Sequence, residues 1–473
     1  MSGSICLRCL ARPVAAIETA APTSRIATAA FSTSAPLAAN PPKKKGPAVA
    51  VKKQQHTKSF TKARAGGKGG SGGGRPPQQG ERKAMRKRIV LSNTNALEVH
   101  GLEDMTAKNI VDSQSAGKML GLSNEVLDAL RAAAAFKPTQ GWSLFRRPAT
   151  LVRKETLEVV RQLEEAGDKK STVRQVIFGE KGSGKSVLQL QAMAAALLKG
   201  WVVIHIPEAQ ELSIGHTSYQ PVKIGEETVY VQPHYIAQLL GQIAKANYTV
   251  LSHLRLSKQH NLPIPVQSNI SLVRFAELGA GDADIAWPFF TALWSELTAP
   301  SAEGEGMARP PVLLTLDSLN FAMGNTTYLN AELQNIHAHD LALVRQYMDI
   351  LSGAESLPNG GAVIAATTES NKPASPALDF ACERNEALQA GKEVPEWDPY
   401  VKVDRRVLKV MEGAEALHLK GLSKDEARGV MEYYARSGML RQTVNDSLVG
   451  EKWALSGGGI IGELERSSVV MRV

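Results

Sequence analysis

The run Gly179-Glu180-Lys181-Gly182-Ser183-Gly184-Lys185-Ser186 has the spacing G-x4-G-K-S, and its residue types suit the cradling of a phosphate chain. Glycines let consecutive backbone N–H groups turn inward, Lys185 brings a point charge to the β- and γ-phosphates, and Ser186 offers a hydroxyl to Mg2+. With Val187 behind it, this P-loop makes 179–187 the candidate nucleotide-binding stretch. A second element fits the same chemistry. Val312-Leu313-Leu314-Thr315-Leu316-Asp317 is an apolar run ending in an acid and bounded by Pro310-Pro311. As a buried parallel strand it would deliver Asp317 to the Mg2+ that Ser186 touches. A third run, Gly361 to Thr368, sits in chain order where a sensor strand would. Thr367, Thr368 or Asn371 could then bond the γ-phosphate or an attacking water.

Hydrolysis is less well provided for. Ser318 follows Asp317, and a serine cannot act as the carboxylate base that many ATPases carry at that position. Glu208, after the strand Trp201-Val202-Val203-Ile204-His205-Ile206, is the candidate substitute, approaching from a neighbouring strand. Retained, slowly turned-over nucleotide is the expected state. Asn371-Lys372-Pro373-Ala374 lacks the final aspartate that a guanine-reading N-K-x-D motif needs.

These residues need a parallel sheet to hold them. Gln175-Val176-Ile177-Phe178 is a short apolar strand entering the glycine-rich loop, and 185–198 is rich in good helix formers without Gly or Pro. Gly200 then ends that helix. Upstream, helices are expected over 124–135, opened weakly by Ser123, and over 150–166. Before the latter lies Phe145-Arg146-Arg147-Pro148, where Arg146 and Arg147 are candidates to stack on a nucleotide base. Residues 209–270 read as an insertion, with a hairpin at 219–232 around Gly225 and a helix over 235–256. A helix over 283–297 is expected to be interrupted at Pro288, with its aromatic stripe packed in a core. Ser423 and Glu426 form a capping box for a helix to Arg436. Short helices follow, as in a small lid. The fold class expected is α/β, a P-loop NTPase core of AAA or RecA-like type with a C-terminal helical lid.

Charge is unevenly spread. Residues 1–88 hold 18 Lys and Arg against Glu18 and Glu81, a net of +16, so the rest carries −7 of the chain's +9. Residues 1–38, with Arg8, Arg12 and Arg25 among Ala, Ser and Thr, have the composition of a mitochondrial transit peptide. The run from Arg25 to Ser34 resembles fungal matrix-processing sites, with a cut between Ala27 and Ala35. Residues 39–88 are rich in Gly, Pro and Lys and cannot bury enough apolar surface to fold. Such an arm suits sequence-independent phosphate neutralisation on RNA. Cys6 and Cys9 lack a second pair for a zinc site. No apolar run is long enough to span a membrane. The expected division is a signal (1–38), a basic arm (39–88), an extension (89–150), the nucleotide-binding domain (151–400) and the lid (401–473).

Several of these segments together resemble the death-associated protein 3 family of the mitochondrial small ribosomal subunit. They are Phe145-Arg146-Arg147-Pro148, the 179–186 loop, His205-Ile206-Pro207-Glu208-Ala209, Leu316-Asp317-Ser318-Leu319-Asn320, Gly360-Gly361-Ala362-Val363 and Glu432-Tyr433-Tyr434. The resemblance covers roughly 120–470. It implies a structural ribosomal subunit that binds GTP or GDP, with ATP as the alternative nucleotide. It also implies contacts with small-subunit rRNA, with neighbouring ribosomal proteins, and with the large subunit through bridges. The competing readings are a free-standing mitochondrial AAA-type ATPase, disfavoured by Ser318, and an adaptor with a vestigial loop, disfavoured by intact Lys185 and Ser186.

Overall fold

Strands with apolar residues on both faces build a sheet covered on both sides. The structure, a computed structural model, describes residues 96–302 and 306–469. The targeting signal and basic arm expected at 1–38 and 39–88 lie outside those residues. The strands are β1 (Thr172–Phe178), β2 (Val202–Ile206), β3 (Val312–Leu316), β4 (Gly361–Ala366) and β5 (Glu415–His418). All pair in parallel, in the spatial order β5-β1-β4-β3-β2. Val176, Ile204, Leu314 and Val363 point to one face, and Ile177, Val203, Leu313 and Ile364 to the other. That period of two is why these strands read as continuous apolar runs.

Helices α1 (Asn124–Ala132), α2 (Lys154–Lys169) and α3 (Lys185–Leu198) supply the second set with its partners. Helices α4 (Pro233–Ala246), α5 (Leu272–Gly281), α6 (Ala283–Leu297) and α7 (Ala342–Ser352) cover the first. Each buried Leu or Ile side chain contributes about 1.5–3 kcal/mol of transfer free energy. Then come α8 (Pro376–Gln389), α9 (Arg405–Met411), α10 (Lys424–Arg436), α11 (Asp446–Leu455) and α12 (Ile461–Ser468). The last three share a separate apolar cluster with Phe145 and Leu151. Phe145 stacks on Tyr434 at 5.4 Å, so the segment before α2 is fastened to the C-terminal helices. The capping box of Ser423 and Glu426 starts α10.

Three elements differ from expectation. The helix expected over 150–166 begins at Lys154, because Ala149–Leu151 pairs antiparallel with Met119–Gly121. The helix expected over 235–256 stops at Ala246. There Asn247 turns its amide onto the outer edge of β2, which pairs with no further strand among the described residues, accepting from Val203 N at 2.7 Å and donating to Val203 O at 2.8 Å. The side chain serves the edge strand as a backbone partner would. Helix α6 runs unbroken through Pro288. The missing hydrogen bond is outweighed by burial of Phe289, Phe290, Leu293, Trp294 and Leu297 along one side. Among the described residues no helix is long and apolar enough to cross a membrane.

Candidate functional site at the carboxyl edge of the sheet

Parallel pairing brings the carboxyl ends of all five strands to one edge, where ligands bind in open α/β sheets. The segments leaving that edge are the 179–184 loop, Pro207-Glu208, Asp317-Ser318, Thr367-Thr368 and Leu419 onward. The chain leaves β1 toward β2 on one side, and leaves β4 toward β5 on the other. The crevice therefore opens between β1 and β4, beside the glycine-rich loop.

The loop joins β1 to α3. Gly184 caps α3 with φ of 101°, and Gly182 has φ of 80°, both left-handed conformations that favour glycine. Gly179 is required for space as well: a Cβ there would lie 2.4 Å from the carbonyl oxygen of Leu419. Lys185 Nζ donates to the carbonyls of Gly179 at 2.7 Å and Glu180 at 2.8 Å, so the lysine folds back along its own loop. Burial pushes its pKa down to about 8, against the raising influence of Glu369 and Asp317. Glu180, Lys181 and Gly182 are exposed, Ser183 is buried, and Ser186 and Val187 are half-buried at the start of α3.

Arg153 fastens the loop to the C-terminal part. Its guanidinium donates to the carbonyls of Ser183 at 3.4 Å and Lys420 at 2.9 Å. Helix α12 closes over the same loop, with Gly462 N donating to Gly182 O at 3.0 Å.

Beyond β3, Asp317 is 2% exposed. One carboxylate oxygen accepts from Ser318 N at 2.7 Å, and the other lies 2.7 Å from Lys137 Nζ. Ser318 stands at φ of 62° and donates its hydroxyl to Glu208 Oε1 at 3.0 Å. Glu208 and Asp317-Ser318 are thus neighbours at one edge, as the pairing of Ile206 with Leu316 dictates. Asn320 Oδ1 accepts from Thr368 N at 2.7 Å, joining the ends of β3 and β4. Ser183 Oγ, Thr367 Oγ1 and Asn320 Nδ2 are buried without hydrogen-bond partners. All three lie on segments that leave the carboxyl edge of the sheet.

Not every candidate joins this cluster. Asn371 is exposed in a left-handed turn. Arg146 pairs with Glu98 at 3.9 Å, and Arg147 pairs with Asp104 while its carbonyl accepts from Tyr433 OH. Both arginines make their ion pairs with the N-terminal extension instead of the loop. Lys137 and Arg153 belong to the site although no motif marks them, and Asn320, part of the 316–320 segment, is not singled out by that segment as a site residue. Their contacts span long stretches of chain, so only the folded arrangement exposes them.

The residues fit a phosphate-bearing group: glycine cradle, lysine and unpaired donors are all present. They fit a directly bound Mg2+ poorly, because Asp317 already faces the ammonium of Lys137.

The sequence pattern of the mitochondrial ribosomal death-associated protein 3 family matches residues 150–467. The chain belongs to this family. It is 44% identical to the small ribosomal subunit protein mS29 of Neurospora crassa, over 99% of both chains. The mS29 of Schizosaccharomyces pombe is 25% identical, over 73% of this chain and 70% of its own length. The Mus musculus mS29 is 23% identical over 48% of this chain and 56% of its own length. The span matched to the death-associated protein 3 family contains the loop, Glu208, Asp317 and Thr367. Lys137, Arg146 and Arg147 precede it.

Proposed function

We propose that this chain is a structural protein of the small subunit of the mitochondrial ribosome that keeps a purine nucleotide in the 179–186 loop. As a member of a family of mitochondrial ribosomal proteins, it resides in the mitoribosome of the matrix. Its relatives carry the name of small-subunit proteins, which supports ribosomal proteins as partners here. Small-subunit rRNA, reached partly through the basic arm, and bridges to the large subunit complete the proposal. GTP or GDP is favoured by the family resemblance, and ATP fits the same loop.

The observation that carries the nucleotide is the glycine cradle of the 179–184 loop, with the buried Lys185 folded along it at the carboxyl edge of the sheet. Retention is favoured by α12 and Arg153, which hold the loop against the C-terminal helices. Sedimentation of a matrix extract tests the assignment. Comigration with the small subunit through moderate salt is expected, and migration as a free oligomer sinks it. Chromatography of nucleotide released from the purified protein then identifies the base.

A hydrolytic reading has one observation behind it, the Ser318–Glu208 hydrogen bond that places a carboxylate beside Asp317. Single-turnover assays with Glu208→Gln decide it. Slow loss of γ-phosphate that is unchanged in the variant removes Glu208 from any catalytic role.

A further inference from the structure

The turn that follows α1 delivers a cation to the candidate phosphate site. Phe136 and Trp142 are buried and meet edge to face at 5.2 Å, anchoring the turn at both ends. Gln140 Oε1 accepts from Lys137 N and from the Trp142 indole N–H, which fixes the backbone between them. From that support Lys137 reaches Asp317 Oδ2 at 2.7 Å, with about a fifth of its side chain exposed. The second Asp317 oxygen is taken by Ser318 N. The charge of Lys137 is also felt by Lys185, so both ammonium groups serve one locality.

In a phosphate site of this kind, the acid after the strand ordinarily helps to hold Mg2+. That ion needs near-octahedral oxygen ligands at about 2.0–2.1 Å and gives up water reluctantly. An ammonium already on the carboxylate repels a second cation and removes the negative charge that would draw it. The same ammonium has three N–H donors. One goes to Asp317, leaving two for phosphate oxygens at the crevice.

We propose that Lys137 is a second phosphate-site lysine that takes the place of the divalent metal, so that a purine nucleoside diphosphate is held without Mg2+. This rests on the nucleotide reading above and assigns the group that neutralises the bound phosphates. Asp317 becomes a positioning residue that aims Lys137.

The test uses the full chain with fluorescent N-methylanthraniloyl GDP and ADP as probes, titrated in excess MgCl2 and in excess EDTA. The better-bound probe is expected to show dissociation constants that agree within about threefold in the two conditions. Lys137→Ala is expected to weaken binding in EDTA by about tenfold or more, the loss of one charge-assisted contact. Lys137→Arg should keep most of the affinity. Because Lys137→Ala leaves a buried carboxylate unpaired, the double variant Lys137→Ala with Asp317→Asn serves as the folding-safe form and should lose affinity equally. Loss of wild-type affinity on adding EDTA, by about tenfold or more, overturns the proposal while leaving the nucleotide reading intact. So does a double variant that binds as tightly as the wild type. Failure of the wild type to bind either probe in either condition overturns both.

Discussion

The backbone N–H of Gly462 donates to the carbonyl oxygen of Gly182 across 3.0 Å, tying the first turn of α12 to the glycine-rich 179–184 loop. The approach is close because Gly462 carries no Cβ. A Cβ on Gly462 would lie 3.2 Å from Gly182 Cα and 3.4 Å from its oxygen. The loop thus has a cover of backbone, supported by the buried cluster of Tyr433, Tyr434 and Leu464 behind it.

Gly462→Val should therefore lift α12 from the loop. An alanine needs a shift of a few tenths of an ångström, and its cost should stay below about 1 kcal/mol. The branched side chain cannot be accommodated that way, and about 1–3 kcal/mol of stability should be lost. Thermal melts read that loss. The dissociation rate of fluorescent GDP should rise in the valine variant by more than in the alanine variant. Equal rates in wild type and both variants would show that α12 does not retain the ligand.

Lys185 gives pH trends of opposite sign in the stability of the empty protein and in nucleotide affinity. Burial lowers its pKa from 10.5 to about 8 in the folded chain. Between those values the unfolded chain binds the extra proton, so the stability of the empty protein should rise as pH increases from 8 to 10.5. Phosphates hold the proton on the amine, so nucleotide affinity should fall over the same range. Lys185→Ala should abolish both trends and leave the site empty. It should also forfeit the ligand's contribution to stability, about 4 kcal/mol at a thousandfold excess over Kd. Melting curves and titrations between pH 7 and 10.5 follow both effects, and a Lys185→Ala melting temperature equal to that of the wild type in the presence of nucleotide would count against a structural nucleotide.

Local pattern explains which parts of this architecture were legible in the sequence. The strand into the loop, the loop, and α3 are contiguous, so spacing alone locates them. The Val312–Leu316 strand and its acid are legible for the same reason. The partner of that acid is not. Lys137 meets Asp317 only because α1 packs beside α3 and its following turn reaches the sheet edge, a relationship no periodicity encodes. Glu208 was a candidate from its place after a strand, but its hydrogen bond to Ser318 depends on β2 lying next to β3. Pro288 misleads by itself because its cost is local while the burial that offsets it is tertiary. Asn247 is similar: a polar residue ends α4 because a neighbouring strand edge needs its amide.

Glu296 should govern acid unfolding of the insertion. It is fully buried near the end of α6 and joins three segments. Burial alone would raise its pKa, but hydrogen bonds outweigh that penalty. Ser257 donates from N at 2.9 Å and from Oγ at 2.7 Å, His260 Nε2 lies at 2.7 Å, and Arg309 Nη2 at 2.6 Å. Together they hold the carboxyl at about 2 instead of 4.5. The unfolded chain therefore takes up the proton first as acid is added. The stabilisation is complete above about pH 4.5 and declines as pH falls toward 2. Urea midpoints measured from pH 6 to 2 should drop along that limb. Glu296→Gln should flatten it and lower stability at neutral pH by about 3–5 kcal/mol, because the buried guanidinium of Arg309 loses its counter-charge. Arg309 lies just ahead of Pro310-Pro311 and β3, so the damage should reach the strand that carries Asp317. Weaker nucleotide binding in Glu296→Gln, far from the loop in sequence, is the outcome that joins the insertion to the site. A variant with wild-type midpoints throughout that pH range would show that the network is not a stabilising one.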